Sequence, residues 1–148
     1  MAVALVDTSA VVAYLVEGDA LHAGAVDAIE SAMRGGTSLV MSAVSWSELL
    51  HGALLGYLPE PALRELVADF GIEILAVDVE VAEEAAALQK RYREARGSDS
   101  RAKLRTPDAL ILATSLVYAD ITTLIGGDEQ WTKVPGVDVE IATLSATA

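Results

Sequence analysis

The stretch Val3-Ala-Leu-Val-Asp7-Thr-Ser-Ala10 decides how this chain is read. Four consecutive apolar residues without alternation predict a short parallel strand covered on both faces, and the acid and hydroxyls after it predict a turn into a helix. Working outward, that helix is expected from Ser9 or Ala10 to Val16, where Glu17-Gly-Asp19 breaks it. Leu21 to Met33 reads as a second helix ending at Gly35-Gly36. Ser38-Leu-Val-Met41 is a second strand, followed by a helix from Ala43 or Trp46 to Leu58, before Pro59. Glu60 to Phe70 is a further helix with Gly71 as its stop signal, and Ile72 to Val77 is a third strand. A long helix covers Val79 to Arg96, then Gly97-Ser-Asp-Ser100 forms a loop. Thr106-Pro107 supplies an N-cap and a first-turn proline for a helix reaching Tyr118. Thr122 to Ile125 is a fourth strand, and Val137 to Ile141 alternates as a fifth, at an edge.

Strands separated by helix-length segments require crossover connections. The fold class is therefore α/β, a mainly parallel sheet of four to five strands with helices on both faces, with residues 1–148 as one domain. In such sheets ligands bind beyond the carboxyl ends of the strands. Asp7 and Asp128 stand just past two of those ends, and helices starting at the same edge carry Glu48 and Asp108.

Each acid also has an ordinary structural role open to it. Asp7 could bond backbone amides in its turn. Glu48 follows Ser45 at capping-box spacing. Asp108 would gain from the helix dipole in its first turn, and Asp128 after two glycines suits a turn or N-cap. Taken together those roles are insufficient. Two carboxylates about 5 Å apart repel by roughly 3 kcal/mol at an effective dielectric of 20, so four at one cleft call for a cation or bound protons. An all-oxygen set suits a hard cation such as Mg²⁺ or Mn²⁺, with Asp7, Glu48, Asp108 and Asp128 as ligands. That chemistry positions an attacking water and stabilises a leaving oxygen, as in phosphodiester cleavage. It needs no histidine, and His22 and His51 read as surface or packing residues.

Composition sets the outer bounds. At 148 residues with 53% hydrophobic content, the chain can bury roughly two-thirds of its unfolded surface, which excludes disorder. No cysteine is present, so disulfides and thiolate metal sites are excluded. The longest uncharged apolar run, Ala109 to Tyr118, is about half a membrane span, and the N-terminus has no basic segment before an apolar one. A soluble, cytoplasmic protein is expected. The net charge of −12 opposes nucleic-acid binding at first sight. Its distribution does not: residues 90–105 hold seven of the ten basic residues and two acids, so that window is +5 and the remainder −17. Arg101, Lys103 and Arg105 in this window are the candidate RNA contacts, the alternative being a solvated helix end and loop.

The Val-Asp7-Thr-Ser-Ala start, the Ser-Glu48-Leu-Leu-His-Gly segment, the Pro-Asp108-Ala-Leu-Ile-Leu-Ala-Thr-Ser helix and the late Asp128 resemble the PIN domain family over essentially the whole chain. Length and motif order are most similar to the VapC-type toxins of bacterial toxin–antitoxin pairs. The resemblance implies a three-layer α/β/α fold and a Mg²⁺- or Mn²⁺-dependent endoribonuclease, typically a homodimer, cutting a structured RNA such as tRNA or rRNA. It also implies a small antitoxin whose C-terminal segment enters the acidic groove. Ser9 matches a family position whose hydroxyl helps order the catalytic acids. One position departs: Gly126 stands two residues before Asp128, where the family usually has Thr or Ser. A hydroxyl that could orient the attacking water is missing there, and Gly126→Thr is expected to raise activity.

Two other readings compete. A catalytically weak PIN module would act mainly by binding antitoxin or RNA, as the Gly126 departure suggests. A haloacid-dehalogenase-like phosphatase also starts with a strand ending in Asp, but it needs a second Asp two residues on, where this chain has Ser9.

Overall fold

The computed structural model describes residues 2–97 and 103–146. Five parallel strands, β1 (Val3–Val6), β2 (Ser38–Ser42), β3 (Glu73–Leu75), β4 (Ile121–Ile125) and β5 (Glu140–Ala142), form one sheet in the order β3-β2-β1-β4-β5. β1 is central, with Leu5 opposite Val40 on one side and Leu124 on the other. This is why it reads as an unbroken apolar run: Ala4, Leu5 and Val6 are all buried. Successive residues point to opposite faces, so the strand feeds two cores. Ala4, Val6, Leu39 and Met41 pack on one face with Val11, Ile29, Leu49 and Leu63. Leu5, Val40 and Leu124 pack on the other with Leu88, Ile111 and Leu112.

Helices α1 (Thr8–Leu15), α2 (His22–Arg34), α3 (Ala43–Leu54) and α4 (Glu60–Asp69) supply the first of those cores. Helices α5 (Val79–Arg96) and α6 (Thr106–Val117) supply the second. The result is a three-layer α/β/α sandwich. The connections β1→β2→β3 cross on one face and β3→β4→β5 on the other, as right-handed crossovers require when the chain reverses direction along a sheet. The reversal lies between β1 and β4. A crevice opens there at the carboxyl ends of the strands, where a doubly wound sheet holds its ligand.

Several boundaries differ from expectation. α3 stops at Leu54 rather than Leu58, because Gly56 (φ +83°) turns the chain and Leu58 folds back against Gly52. Arg105, not Thr106, is the N-cap residue of α6, without a side-chain bond; Thr106 and Pro107 are its first two helical residues. β3 is only three residues long, an edge strand paired with β2 alone. β5 begins at Glu140 rather than Val137, since a 3₁₀ turn over Glu129–Lys133 and Gly136 (φ +86°) occupy the connection from β4. The expected loop at 98–100 lies outside the described residues. Among the described residues no helix is long and apolar enough to cross a membrane.

Candidate active site

Asp7 follows β1 directly and is buried, with its backbone N–H donating to Ile125 O at 2.9 Å. Its side chain caps α1: Oδ2 accepts from the Ser9 N–H at 3.2 Å and from the Ser9 hydroxyl at 2.6 Å. The structural role foreseen for Asp7 is therefore real, and it holds the carboxylate in a fixed orientation. Ser9 Oγ in turn accepts from the Gly127 N–H at 3.3 Å. One hydroxyl thus links the turn after β1 to the turn after β4.

Glu48 sits in the second turn of α3. The N-cap of α3 is Ser42, whose Oγ accepts from Val44 N, so Ser45 lies inside the helix and the capping-box role for Glu48 is excluded. Glu48 is instead held by Thr8, whose hydroxyl donates to Oε1 at 2.7 Å. Asp108 is the third residue of α6, in its first turn. Asp128 is the N-cap of the 3₁₀ turn, with Oδ1 accepting from Gln130 N at 2.8 Å.

Asp7, Asp108 and Asp128 line one open cleft of about 480 Å³, with Ser9, Glu129 and Trp131. Glu48 is exposed and stands at the rim rather than in the lining. The four acids share one electrostatic field. Burial pushes the Asp108 carboxyl above the usual carboxylate range, and the charge of Asp7 adds to it. Arg105 opposes the shift, while Glu48 and Asp128 reinforce it. Among the described residues no group of three or more Asp, Glu, His or Cys side chains is gathered tightly enough to hold a metal ion as it stands. The donor chemistry nevertheless fits a hard cation: four carboxylates (Asp7, Asp108, Asp128 and Glu129) and the hydroxyls of Ser9 and Thr143 around one cleft, all oxygen, with more negative charge around Asp108 than Arg105 offsets. Asp7, Asp108 and Asp128 are the residues that could hold one, with Glu48 reaching in from the rim.

Gly126 has φ +98°, and a Cβ there would stand 3.0 Å from Ser9 Oγ, 3.1 Å from Ala10 Cβ and 3.2 Å from Asp7 Cβ. A side chain at 126 would enter space that the Ser9 hydroxyl already fills. The expectation that Gly126→Thr raises activity is at odds with this geometry, because a β-branched residue is strained at positive φ.

The basic window divides. Arg91 is engaged away from the cleft, with its guanidinium 2.9 Å from Glu84 and donating to Pro135 O at 2.8 Å. Arg96 stacks over Tyr92. Lys103 and Arg105 are exposed on either side of buried Leu104, whose carbonyl accepts from Gln89 Nε2 at 3.0 Å. Arg105 is close enough to Asp108 to act on its titration. Arg101 lies outside the described residues. His22 packs through Nδ1 against Ala13 O at 2.8 Å, and His51 is exposed; neither lines the cleft.

Sequence reading missed Thr8, Gly127, Glu129, Trp131 and the Thr143-Leu144 segment that closes one side of the cleft. The hydroxyl run after Asp7 and the double glycine before Asp128 were the available signals for the first two. Nothing local marks the others.

The PIN domain family model matches residues 4–137. The chain belongs to the PIN domain family. Solved PIN-type structures share its fold over nearly the whole length. The VapBC2 complex of Rickettsia felis, solved bound to a promoter DNA fragment, aligns at TM-score 0.72 and 12% identity, covering 97% of this chain and 99% of that one. The sarcin-ricin-loop-cleaving toxin VapC20 of Mycobacterium tuberculosis aligns at 0.64 and 18%, covering 92% and 98%. VapBC-5 of the same organism aligns at 0.62 and 25%, covering 97% and 100%. No curated protein matches the sequence.

Proposed function

We propose that this PIN domain is the toxin of a VapBC-type toxin–antitoxin pair, acting over residues 1–148 as one divalent-metal-dependent endoribonuclease domain on structured RNA. The observation that carries the reading is the gathering of Asp7, Asp108 and Asp128 at one cleft of a PIN domain, and the field at Asp108 agrees with it. Its carboxyl is raised by burial and by Asp7, Glu48 and Asp128, with Arg105 alone acting against them. Like charges held together at a switch-point cleft favour a cation. A bound Mg²⁺ or Mn²⁺ would supply Lewis-acid stabilisation of the charge that develops on a cleaved phosphodiester.

The chain's own residues do the rest. Ser9 donates its proton to Asp7 Oδ2 and so fixes that carboxylate toward the cleft wall it shares with Asp108 and Asp128. Thr8 restrains Glu48 at the rim. Lys103 and Arg105 are exposed, Arg105 within electrostatic reach of Asp108, and are suited to RNA phosphates, with Arg101 a third candidate by sequence. The neighbours solved as toxin–antitoxin complexes support a protein antitoxin as partner, and a homodimer is the expected assembly.

Membership of the PIN family removes the support for a phosphatase. The weak-module reading rested on the hydroxyl absent at Gly126, and Ser9 Oγ fills that neighbourhood. A cleavage time course on total RNA, with and without added Mn²⁺ and compared with Asp108→Asn, tests the proposal. Metal-dependent cleavage lost in the variant is expected. Equal cleavage by both proteins would refute the catalytic assignment.

A further inference from the structure

We propose that Trp131 is a positioning residue for Asp7, acting through Gly127 and Ser9. The inference rests on the ribonuclease reading only for the activity arm of its test.

Three contacts make the path. Trp131 is buried, 5% exposed, in the core beneath α5 and α6, yet its ring also borders the cleft. Its backbone N–H donates to Asp128 O at 3.0 Å, which fixes the 3₁₀ turn under the loop. The six-membered edge of the ring lies directly under Gly127: a Cβ built there would stand 2.6 Å from Cζ3 and 2.8 Å from Cε3. Only glycine fits, both for that space and for φ +82°. The Gly127 N–H then meets Ser9 Oγ, and the Ser9 hydroxyl meets Asp7 Oδ2 at 2.6 Å.

The direction of these bonds matters. A serine hydroxyl has one proton and two lone pairs. With Gly127 donating to the oxygen, the serine proton is directed at Asp7 and the hydroxyl is an orienting group. The Gly127–Ser9 bond, at 3.3 Å, is at the long end of the useful range. A small sag of the glycine loop would break it and leave the serine proton free to rotate. The indole edge is the floor that stops the sag. A flat ring suits the role because it meets the glycine along an edge while its body stays in the core.

A purely structural Trp131 would lower stability without singling out Gly127 or Ser9, and the test separates the two cases. The variants are Ser9→Ala, Trp131→Phe, Trp131→Leu and the double variant Ser9→Ala/Trp131→Leu in the full chain. Amide hydrogen exchange of Gly127 in metal-free protein, referenced to the sheet amide of Leu124, is expected to quicken about tenfold in Ser9→Ala and in Trp131→Leu. Trp131→Phe, which keeps a six-membered ring, should rescue it. Should Trp131→Leu not fold, Trp131→Met is read in the same way. In cleavage, each single change is expected to lower kcat about tenfold with little change in KM. The double variant should fall no further than Ser9→Ala alone. Unchanged Gly127 exchange in the Trp131 variant, or a double variant that loses the product of the single effects, about a hundredfold, would overturn the proposal. If the parent cleaves no RNA with Mg²⁺ or Mn²⁺, the ribonuclease reading fails and the exchange measurement alone decides this one.

Discussion

Replacing Gly126 by alanine is expected to destabilise the protein by about 2–5 kcal/mol, and the figure has two separable parts. The backbone at 126 has φ +98°, where a side chain costs roughly 1–2 kcal/mol. The new Cβ would also press on Ser9 Oγ at 3.0 Å, Ala10 Cβ at 3.1 Å and Asp7 Cβ at 3.2 Å. Ala10 and Asp7 are buried and have little room to retreat, so an overpacking cost of about 1–3 kcal/mol is added. Against a total stability of about 5–15 kcal/mol this is a large fraction. It corresponds to a fall in Tm of roughly 5–15 °C.

Gly36→Ala supplies the control, because Gly36 has φ +81° but nothing within 4 Å of a Cβ. It should show the backbone part alone, about 1–2 kcal/mol. Chemical denaturation of both variants beside the parent measures the difference, with an unchanged m-value as the check on two-state behaviour. Metal-dependent cleavage should fall with stability in Gly126→Ala and fall further in Gly126→Thr, since the displaced atoms belong to Asp7 and Ser9. A Gly126→Ala variant no less stable than Gly36→Ala would refute the crowding argument. A stable Gly126→Ser variant that cleaves faster than the parent would refute the geometric reading and restore the missing-hydroxyl one.

Asp108→Asn is expected to raise the Tm of the metal-free protein at neutral pH. The folded-state pKa of Asp108 is raised, so the folded chain keeps a proton that the unfolded chain releases. Stability in the parent therefore declines as pH rises from the ordinary carboxylate range through the raised value, whereas the variant escapes that decline; the two melting curves should converge in acid. Neutralising Lys103 and Arg105 together, as Lys103→Gln/Arg105→Gln, should flatten the salt dependence of RNA binding by about 0.7 per lost phosphate contact, read as the slope of log K against log salt. An unaltered slope would return this segment to the solvated-surface reading. Thr8→Val removes the bond to Glu48 Oε1 while keeping the shape. It should lower cleavage about three- to tenfold with a Tm change under about 4 °C, since the bond is exposed; undiminished cleavage would remove Glu48 restraint from the account.

The layers and the sheet were legible because local pattern and tertiary environment agree in β1 and in the α5 helix. β1 is apolar throughout since it is covered on both faces, and α5 runs from the Asp78 cap to Gly97 (φ +63°) as its sequence signals. Where they disagree the reading slipped. The apolar spacing of Leu54, Leu55 and Leu58 continues a helix on paper, but Gly56 ends it, and Leu58 reaches the core only by folding back. The alternation of Val137 to Ile141 predicts a strand over that span, yet pairing with β4 selects Glu140 to Ala142. Among the site residues, the acids announced themselves through strand ends and helix starts. Trp131, Thr143 and Leu144 did not, since their place beside the cleft depends on how the chain after β4 and after β5 returns across the sheet edge.

The same distinction bears on the charge problem that the proposed ribonuclease reading raises for an acidic chain. A count over residues 90–105 suggests one basic face, but the side chains are spent on different tasks. Arg91 ties α5 to the Pro135 carbonyl and to Glu84, while Lys90 pairs loosely with Glu94 at 3.9 Å. Arg105, the cation whose charge reaches Asp108, lies in the short run Lys103-Leu104-Arg105. Burial of Leu104 and the Gln89 bonds to Leu104 O and Thr106 Oγ1 fix its path. Lys103 and Arg105 are two residues apart and exposed, and the charge of Arg105 reaches Asp108 in the acidic cleft. Under the proposed function, a phosphodiester would be held by these cations and would reach the acid cluster only where a divalent ion offsets its charge. Net charge, at −12, describes solubility and long-range repulsion of polyanions; the local order of cation and carboxylate describes which part of an RNA can enter. If the proposed function holds, raising ionic strength should weaken RNA binding through Lys103 and Arg105 while cleavage still depends on added Mg²⁺ or Mn²⁺.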